Sequence, residues 1–416
     1  MRRILATVSL IFLFASSAFA SGFSIYEASV RANGMLGAFS AYADHASTIY
    51  YNPAGLGGLE GINVTAGASI IAPRSSFRNQ TPLAPYGAEY EMKKNQFLVP
   101  NFYATYEIAD GLTAGVGIYA EFGLGTEWND DWVGRGVSTK AEIETLTLNP
   151  AIGYKIDDTG FGTIRLGAGL RTIIHGKVEL ARAVTDFTPE GDFDLQGDLA
   201  EPAFGYNLGV MYSPKEMVTL GFTYRSAIEA EFEGEAEFTD LSVGFPETAG
   251  GGTTIEFPAS YVIALNVKPV SNLTLEADYI WWGWSSYDEL VINFDQAVPA
   301  LGGDQIVNPR NYEDTIQLRF GAEYKEFGVE GLTLRAGFAY DENPIPEEDV
   351  DPTLPDSDRI EFSGGLTYAI NENIAIDAAY IFIRADQRKV DDTVTGIDGV
   401  YNTYANIPSL GITLNY

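Results

Sequence analysis

The spacing of its alternating segments constrains this chain more than any other feature. Fourteen segments alternate apolar and polar residues with the period of two that is typical of β-strands. They are 62–72, 97–108, 112–122, 142–155, 163–178, 202–213, 217–232, 255–268, 272–284, 314–325, 331–341, 358–370, 373–384 and 404–416. The connectors after odd-numbered segments have 24, 19, 23, 22, 29, 16 and 19 residues, and those after even-numbered segments have 3, 7, 3, 3, 5 and 2. This strict alternation predicts an antiparallel transmembrane barrel with short turns at one end and long loops at the other.

Other fold classes do not fit this pattern. A soluble sandwich or propeller has no reason to sort its connectors by parity. After residue 20 the sequence has no uninterrupted apolar stretch of about 18 residues, so no membrane-spanning helix is predicted. The fold class is therefore all-β, a 14-stranded antiparallel transmembrane barrel formed by residues 62–416. An even number of strands places both chain ends on the periplasmic side.

The first twenty residues indicate where the chain goes. Arg2 and Arg3 precede an apolar run over 4–14, and Ala18 and Ala20 form a small-residue cleavage pattern. This is the layout of a secretory signal peptide over residues 1–20. An exported barrel belongs in the outer membrane of a Gram-negative bacterium, so we expect the chain to be located there.

The two faces of the segments divide the barrel into a lipid side and a lumen side. In the tenth segment Ile316, Leu318 and Phe320 share one face, whereas Gln317 and Arg319 share the other. A charge facing lipid at mid-membrane costs about 2–4 kcal/mol, so the charged side chains are expected to face the lumen. The predicted lumen charges are Arg165, Arg171, Arg225, Arg319, Arg335, Arg359, Glu276, Asp278, Glu323, Glu361 and Asp377. The arginines either bind a substrate carboxylate or pair with the acids, and the sequence leaves both interpretations open.

Residues 21–61 do not follow the strand pattern. They are rich in glycine, alanine and serine and end with an Asn-Pro-Ala-Gly turn at 52–55. A compact segment ahead of a barrel has the barrel mouth as its nearest place, so we predict a plug with short helices, here called the hatch. The alternative is a flexible periplasmic leader.

Several parts of the chain resemble the FadL/TodX family of outer-membrane transporters for long-chain fatty acids and aromatic hydrocarbons. The matching segments are 21–23, 44–56, 122–128, 131–135, 332–341, 355–359 and 363–368, and they occur in the family order. The second of these contains Asn52, Pro53 and Ala54, which are similar to the hallmark turn of the family hatch.

The resemblance implies a fourteen-stranded barrel closed by an N-terminal hatch, through which substrate diffuses without an energy source. Substrate would bind near the extracellular loops, pass to an apolar pocket above the hatch, and leave sideways through a gap at the third strand. By position, Phe23 matches the family's aromatic residue that reaches toward the ligand. Asn52, Pro53 and Ala54 would form the turn of the gate.

Gly115 and Gly117 would lie on the strand that borders the lateral gap. Glycines in a strand remove side chains and relax the backbone, so a bulge toward the hatch is physically reasonable. The alternative is that these two glycines only ease packing.

Composition narrows the function further. The net charge of −32 argues against nucleic acid as a partner, and the absence of cysteine excludes disulfides and thiolate metal sites. Only His45 and His175 are available as histidines. The sequence therefore predicts no catalytic site, no metal site and no cofactor, and the protein is not expected to be an enzyme.

The predicted function is passive uptake of hydrophobic small molecules, either long-chain fatty acids or aromatic or aliphatic hydrocarbons, through a hatch-gated barrel that opens laterally. The alternatives are a surface receptor or adhesin that uses the acidic loops, or a general porin. The expected partners are the hydrophobic substrate, outer-membrane lipid and lipopolysaccharide, and the barrel assembly machinery. The protein is expected to be a monomer.

Overall fold

The computed structural model describes residues 22–82, 85–157, 160–186, 190–241 and 244–416. In these ranges fourteen antiparallel strands pair in chain order, and the last strand pairs with the first, so the sheet closes into a barrel. The strands are β1 (Ile62–Asn79), β2 (Phe97–Ala109), β3 (Leu112–Tyr119), β4 (Lys140–Ile156), β5 (Thr163–Val184), β6 (Ala203–Lys215), β7 (Val218–Arg225), β8 (Ser260–Val270), β9 (Leu273–Trp282), β10 (Thr315–Tyr324), β11 (Leu332–Asp341), β12 (Arg359–Ala369), β13 (Ile374–Ala385) and β14 (Gly399–Asn415). The predicted all-β, 14-stranded barrel is confirmed. The predicted signal peptide at 1–20 lies outside the described residues.

The strands face the way their alternation predicts. In β10 Phe320 is 47% exposed on the outer surface, whereas Gln317 and Arg319 are buried inside the barrel. Along β2 the apolar residues Leu98 and Phe102 also face outward. Among the described residues, no helix is long and apolar enough to cross a membrane.

The long connectors contain more sheet than the sequence pattern indicates. Strands β1 and β5 continue well past the predicted ends, and eight additional strands lie among the described residues of the loops. These additional strands are Glu89–Glu91, Gly123–Glu127, Gly191–Leu199, Ile228–Thr239, Thr248–Phe257, Glu289–Val298, Gly303–Pro309 and Arg388–Val390. The barrel wall therefore continues as a sheet on the loop side.

The predicted strand at 217–232 is wrong in its extent. Strand β7 ends at Arg225, and a separate strand, Ile228–Thr239, leaves the barrel wall and pairs with Gly191–Leu199 and Thr248–Phe257. At the junction the Tyr206 N–H donates to Ser226 Oγ at 2.9 Å. The alternation in the sequence could not show where β7 ends, because apolar and polar residues keep the same phase on both sides of that point.

The hatch, residues 22–61, lies inside the barrel. It contains the helices α1 (Val30–Asn33) and α2 (Thr48–Tyr51) and a 3₁₀ helix, Pro53–Gly58. Within the hatch only the side chains of Asp44 and Glu60 are exposed. The segment without the strand pattern therefore fills the lumen, because its small residues allow the chain to follow a compact path.

One hatch side chain bridges the seam where the barrel closes. Asn33 Nδ2 donates to Ser69 Oγ of β1 at 3.0 Å and to Ser409 Oγ of β14 at 3.1 Å. These two hydroxyls are also 2.9 Å apart from each other. The first and last strands are thus joined through the hatch as well as through their own backbone ladder.

Elsewhere the wall contacts the hatch through glycines. A Cβ atom at Gly167 would lie 2.1 Å from the carbonyl carbon of Pro53, and one at Gly209 would lie 2.1 Å from Asn52 Oδ1. The same close approach occurs at Gly67, Gly153, Gly221, Gly321, Gly337 and Gly365. Hatch and wall backbones therefore pack directly against each other, which larger side chains would prevent.

Replacing one of these glycines tests whether the hatch seals the lumen. Gly209→Leu has no space, so we expect the hatch to be displaced and the barrel to admit small hydrophilic solutes. The measurement is swelling of proteoliposomes in a pentose, with folding checked by the gel mobility of the unheated protein. Gly364→Leu is the matched control, since a Cβ atom there meets nothing within 4 Å. Equal swelling rates for wild type and folded Gly209→Leu would show that this contact does not seal the barrel.

Candidate functional site

The barrel wall is interrupted at the end of β3. The pairing of β3 with β2 stops at Tyr119, which lies opposite Asn101, so residues 97–100 of β2 pair only with β1. Residues 120–122 leave the sheet, and the chain rejoins β4 as the short strand Gly123–Glu127. This interruption, the break, leaves an opening between β2 and the inward-turned residues.

Two groups replace the missing ladder at the break. The start of the hatch pairs with it, because the Ile25 N–H donates to the Glu121 carbonyl at 2.8 Å and the Gly123 N–H donates to the Phe23 carbonyl at 3.0 Å. On the other side, Thr145 Oγ1 accepts from the Phe122 N–H at 3.0 Å. The Glu121 carbonyl and the N–H groups of Phe122 and Gly123 thus find partners other than β2.

A buried ion cluster holds the break inside the barrel. The carboxylate of Glu121 is 1% exposed and contacts the guanidinium groups of Arg171 on β5 and Arg225 on β7, the latter at 2.7 Å. Arg225 also donates to the Tyr50 carbonyl at 2.9 Å and lies 3.9 Å from the centre of the Tyr50 ring. Glu121 thus links the break to two strands and to the hatch.

Glu121 and Thr145 were not among the predicted site residues. Glu121 lies on the polar face of the third alternating segment, 112–122, so it could have been found as a lumen charge. Its two arginine partners were predicted lumen charges. The residue pairing itself was not accessible, because Glu121 is separated from Arg171 by 50 residues and from Arg225 by 104.

A cavity of about 410 Å³ lies at the break. Its inner wall includes the hatch residues Phe23 and Ile25 and the β14 residue Ile407. Its lining also includes Leu98 and His175, which are exposed on the outer surface. The cavity therefore reaches from the lumen through the opening in the wall.

Phe23 stands between this cavity and a smaller one of about 40 Å³ under the extracellular loops, since it lines both. Its ring, 4% exposed, packs edge-on against the rings of Trp284 at 4.7 Å and Tyr287 at 5.5 Å between ring centres. Phe122 and Phe257 complete the aromatic surround. The residue that the family resemblance placed at the ligand thus separates two apolar spaces.

The turn at Asn52, Pro53 and Ala54 lies away from the break. Asn52 Oδ1 accepts from the Ala54 N–H at 3.1 Å, which caps the 3₁₀ helix, and Asn52 Nδ2 donates to the Ser40 carbonyl at 2.7 Å. The turn packs on Gly167 and the neighbouring glycines of β4 to β6. Its contacts anchor the hatch to the wall.

Gly115 and Gly117 lie in the regular part of β3, and the break comes only after Tyr119. Added Cβ atoms at the two glycines would lie 2.9 and 3.2 Å from side-chain atoms of Ile49 in the hatch. These glycines therefore give the hatch room. The strand departs from the wall farther on, where Glu121 is drawn to its arginines.

Three other predicted lumen arginines contact a carboxylate or the hatch. Arg335 Nε is 2.7 Å from Glu323, and Arg359 Nε is 3.1 Å from Asp341. The guanidinium of Arg319 lies 4.1 Å from the centre of the Tyr26 ring.

The acids Glu276 and Asp278 accept hydrogen bonds from hatch backbone. Glu276 accepts from the Ala41 N–H at 2.6 Å, and Asp278 accepts from the Phe39 and Ser40 N–H groups, both at 3.3 Å. The structure thus shows these two lumen acids as anchors for the hatch.

Comparison with known proteins gives consistent results. A family model described as outer membrane protein transport protein (OMPP1/FadL/TodX) matches residues 11–416. A putative outer membrane protein of Neisseria meningitidis serogroup B is 30% identical over 409 residues, which cover 89% of this chain and 87% of that protein. A long-chain fatty acid transport protein of Escherichia coli O6:H1 is 25% identical over 412 residues, covering 91% of this chain and 90% of that protein.

Solved structures show the same fold. A Pseudomonas aeruginosa FadL homologue aligns with a TM-score of 0.81 at 20% identity, over 95% of this chain and 100% of that one. The toluene transporter TbuX of Ralstonia pickettii aligns with a TM-score of 0.70 at 19% identity, over 92% of this chain and 97% of that one.

Neutralising Glu121 tests the role of the ion cluster. Glu121→Gln leaves Arg171 and Arg225 buried without a counter-charge, which typically costs about 3–5 kcal/mol. We expect a lower unfolding temperature and lower uptake of a labelled apolar solute. Glu216→Gln, in an exposed turn, is the control and should match wild type in both measurements. An unchanged unfolding temperature in Glu121→Gln would show that the cluster does not hold the break.

Proposed function

We propose, from the premise that this chain belongs to the OMPP1/FadL/TodX family of outer membrane transport proteins, that it carries apolar small molecules by passive diffusion through the break in its wall. The observation that carries the proposal is the cavity of about 410 Å³, which joins the hatch to the outer surface at that break. Relatives by sequence and by fold are named as a long-chain fatty acid transport protein and as a toluene transporter.

The route has three parts. Solute enters the small cavity under the extracellular loops, passes Phe23 and occupies the main cavity. It then leaves between β2 and the break, beside the outward-facing Leu98. An apolar solute gains by moving from this cavity into hydrocarbon, so lateral release needs no energy source and no passage through the hatch.

The two alternatives have less support. A general porin needs a water-filled lumen, whereas the hatch fills this barrel and bonds to its wall. A receptor or adhesin would use the acidic loop strand Ile228–Thr239, whose glutamates at 229, 231, 233, 235 and 237 are exposed. That role would leave the apolar cavity and the opening in the wall without a purpose.

The proposal includes the arrangement around the channel. Residues 21–61 act as the hatch and 62–416 as the barrel, after removal of 1–20. The apolar outer surface contacts outer-membrane lipid, and the loop side contacts lipopolysaccharide. The barrel assembly machinery inserts the chain, which functions as a monomer.

Filling the opening tests lateral release. Ala120 is buried and lines the cavity at the break, so Ala120→Trp should reduce uptake of labelled toluene or palmitate at least tenfold in a folded barrel. Ala104→Trp places the same ring on the lipid side of the neighbouring strand β2 and should leave uptake unchanged. Wild-type uptake by folded Ala120→Trp would contradict exit through the break, although the fold assignment would remain.

Removing the ring of Phe23 tests the passage between the two cavities. Phe23→Ala joins them, so uptake of bulky aromatic solutes should rise several-fold in proteoliposomes. Phe193→Ala truncates an equally buried ring in the loop sheet that lines neither cavity, and it controls for lost packing. If both variants changed uptake to the same extent, Phe23 would have no gating role.

A further inference from the structure

We propose that Phe97 limits the size of the solute that leaves through the opening in the wall, because its ring reaches across the opening and rests on Gly125. This inference rests on the proposed function and specifies its substrate class, which is slender apolar molecules rather than broad ones. It follows from the two ends of the opening and from the contacts that hold the ring at one of them.

The opening has a defined periplasmic end. The last pair of the ladder between β2 and β3 joins Asn101 to Tyr119, and residues 97–100 continue beyond it with β1 as their strand neighbour. Phe97 lies four residues before Asn101, and at about 3.4 Å per residue this is roughly 13 Å of strand. Side chains at both ends shorten that length further. The opening is therefore a short slot along β2.

The edge of β2 that borders this slot is suited to a missing neighbour. In an antiparallel strand the N–H and C=O groups of successive residues point to alternate sides. The Glu107 N–H donates to the Gly61 carbonyl beside β1 at 2.9 Å, so the even-numbered residues of β2 point toward the opening. One of them is Pro100, which has no N–H to donate to a neighbouring strand. This favours an opening that side chains delimit, rather than one that strand pairing closes.

The ring of Phe97 forms the extracellular end of the slot. The three atoms nearest to a Cβ atom added at Gly125 all belong to this ring, and all would lie within 2.6 Å of it. The tip of the ring therefore lies directly on the glycine. Phe97 belongs to the wall and Gly125 to the strand that follows the break, and both line the main cavity. The ring thus reaches from one side of the opening to the other.

Polar contacts hold the chain ahead of Phe97 against the same strand. The Lys93 N–H donates to the Glu127 carbonyl at 2.7 Å, and the Lys93 ammonium lies 2.9 Å from the Glu127 carboxylate. Asn95 Nδ2 donates to the other oxygen of that carboxylate at 2.8 Å. Glu127 therefore binds the residues two and four positions before Phe97. These contacts keep the ring opposite Gly125.

The lining between the two ends of the slot is apolar. Leu98 and Pro100 border it on β2, and Ala120 borders it on the break. These side chains offer no charge and no hydrogen-bond donor with which to sort apolar solutes. Shape is therefore the property that the slot can select. A single ring or an alkyl chain passes on its narrow side, whereas a broad solute meets both ends.

The test compares two solutes that share one benzene ring, labelled toluene and the broader 1,3,5-triisopropylbenzene. Uptake is measured in Gram-negative cells that lack other transporters of this family, and uptake by cells without the protein is subtracted. We expect Phe97→Ala to raise the ratio of broad to slender uptake about tenfold, with toluene uptake changed by less than about twofold. Phe102→Ala removes a ring from the lipid face of the same strand and should keep the wild-type ratio. Gel mobility of the unheated protein checks folding.

Gly125→Ala tests the contact from its other side. The added Cβ atom must displace the Phe97 ring, so this variant should change the uptake ratio when the ring is present. In the Phe97→Ala background the same substitution no longer meets a ring, and it should have no further effect. Phe97→Leu replaces the alanine variant if that variant fails to fold, since leucine also lacks the ring that reaches Gly125.

The outcomes separate the two proposals. If toluene enters through the protein but the folded Phe97 variants keep the wild-type ratio, or raise both solutes equally, the ring does not select by size while transport of apolar molecules stands. Additive effects of Phe97→Ala and Gly125→Ala would also overturn the inference. If wild-type cells take up neither solute above cells without the protein, the proposed function itself fails.

Discussion

Everything in this barrel depends on one requirement, that backbone N–H and C=O groups in hydrocarbon must find partners within the protein. Neighbouring strands around the described wall meet it by pairing in ladders, and β2 pairs with β3 only as far as Tyr119. Beyond that point the hatch backbone and the Thr145 hydroxyl supply partners for Glu121, Phe122 and Gly123. The chain can therefore turn away from the wall here and still have hydrogen bonds for part of its backbone.

The same logic explains why the lumen is so strongly charged. At several places the hatch backbone packs directly on glycines of the wall, which offer no side chain to bind it. Its backbone donors instead bind Glu276 and Asp278, and the break is held by Glu121 with two arginines. The ion pairs thus position the hatch and the break relative to each other. The aromatic rings around Phe23 remain available for contact with the solute.

The fold could be read from the sequence because two independent signals coincide, the period of two along the strands and the parity of the connectors. The break after Tyr119 could not be predicted from these signals. The alternation of Ile118, Ala120 and Phe122 continues through it without a change of phase, and the force that bends the chain comes from Arg171 and Arg225, far along the sequence. Long-range pairing decided these positions, and single-sequence periodicity carries no information about it.

The bridge that Asn33 makes between Ser69 and Ser409 has a consequence for how the barrel is made. The two serines belong to strands at opposite ends of the barrel sequence, so their pairing closes a loop of nearly the whole chain, which is the slowest kind of contact to form. The hatch is synthesised before any strand, yet the Asn33 amide makes its second hydrogen bond only when the final strand arrives. The plug therefore cannot reach its finished state inside a half-built cylinder. The tie between the hatch and the seam is therefore completed only as the barrel closes.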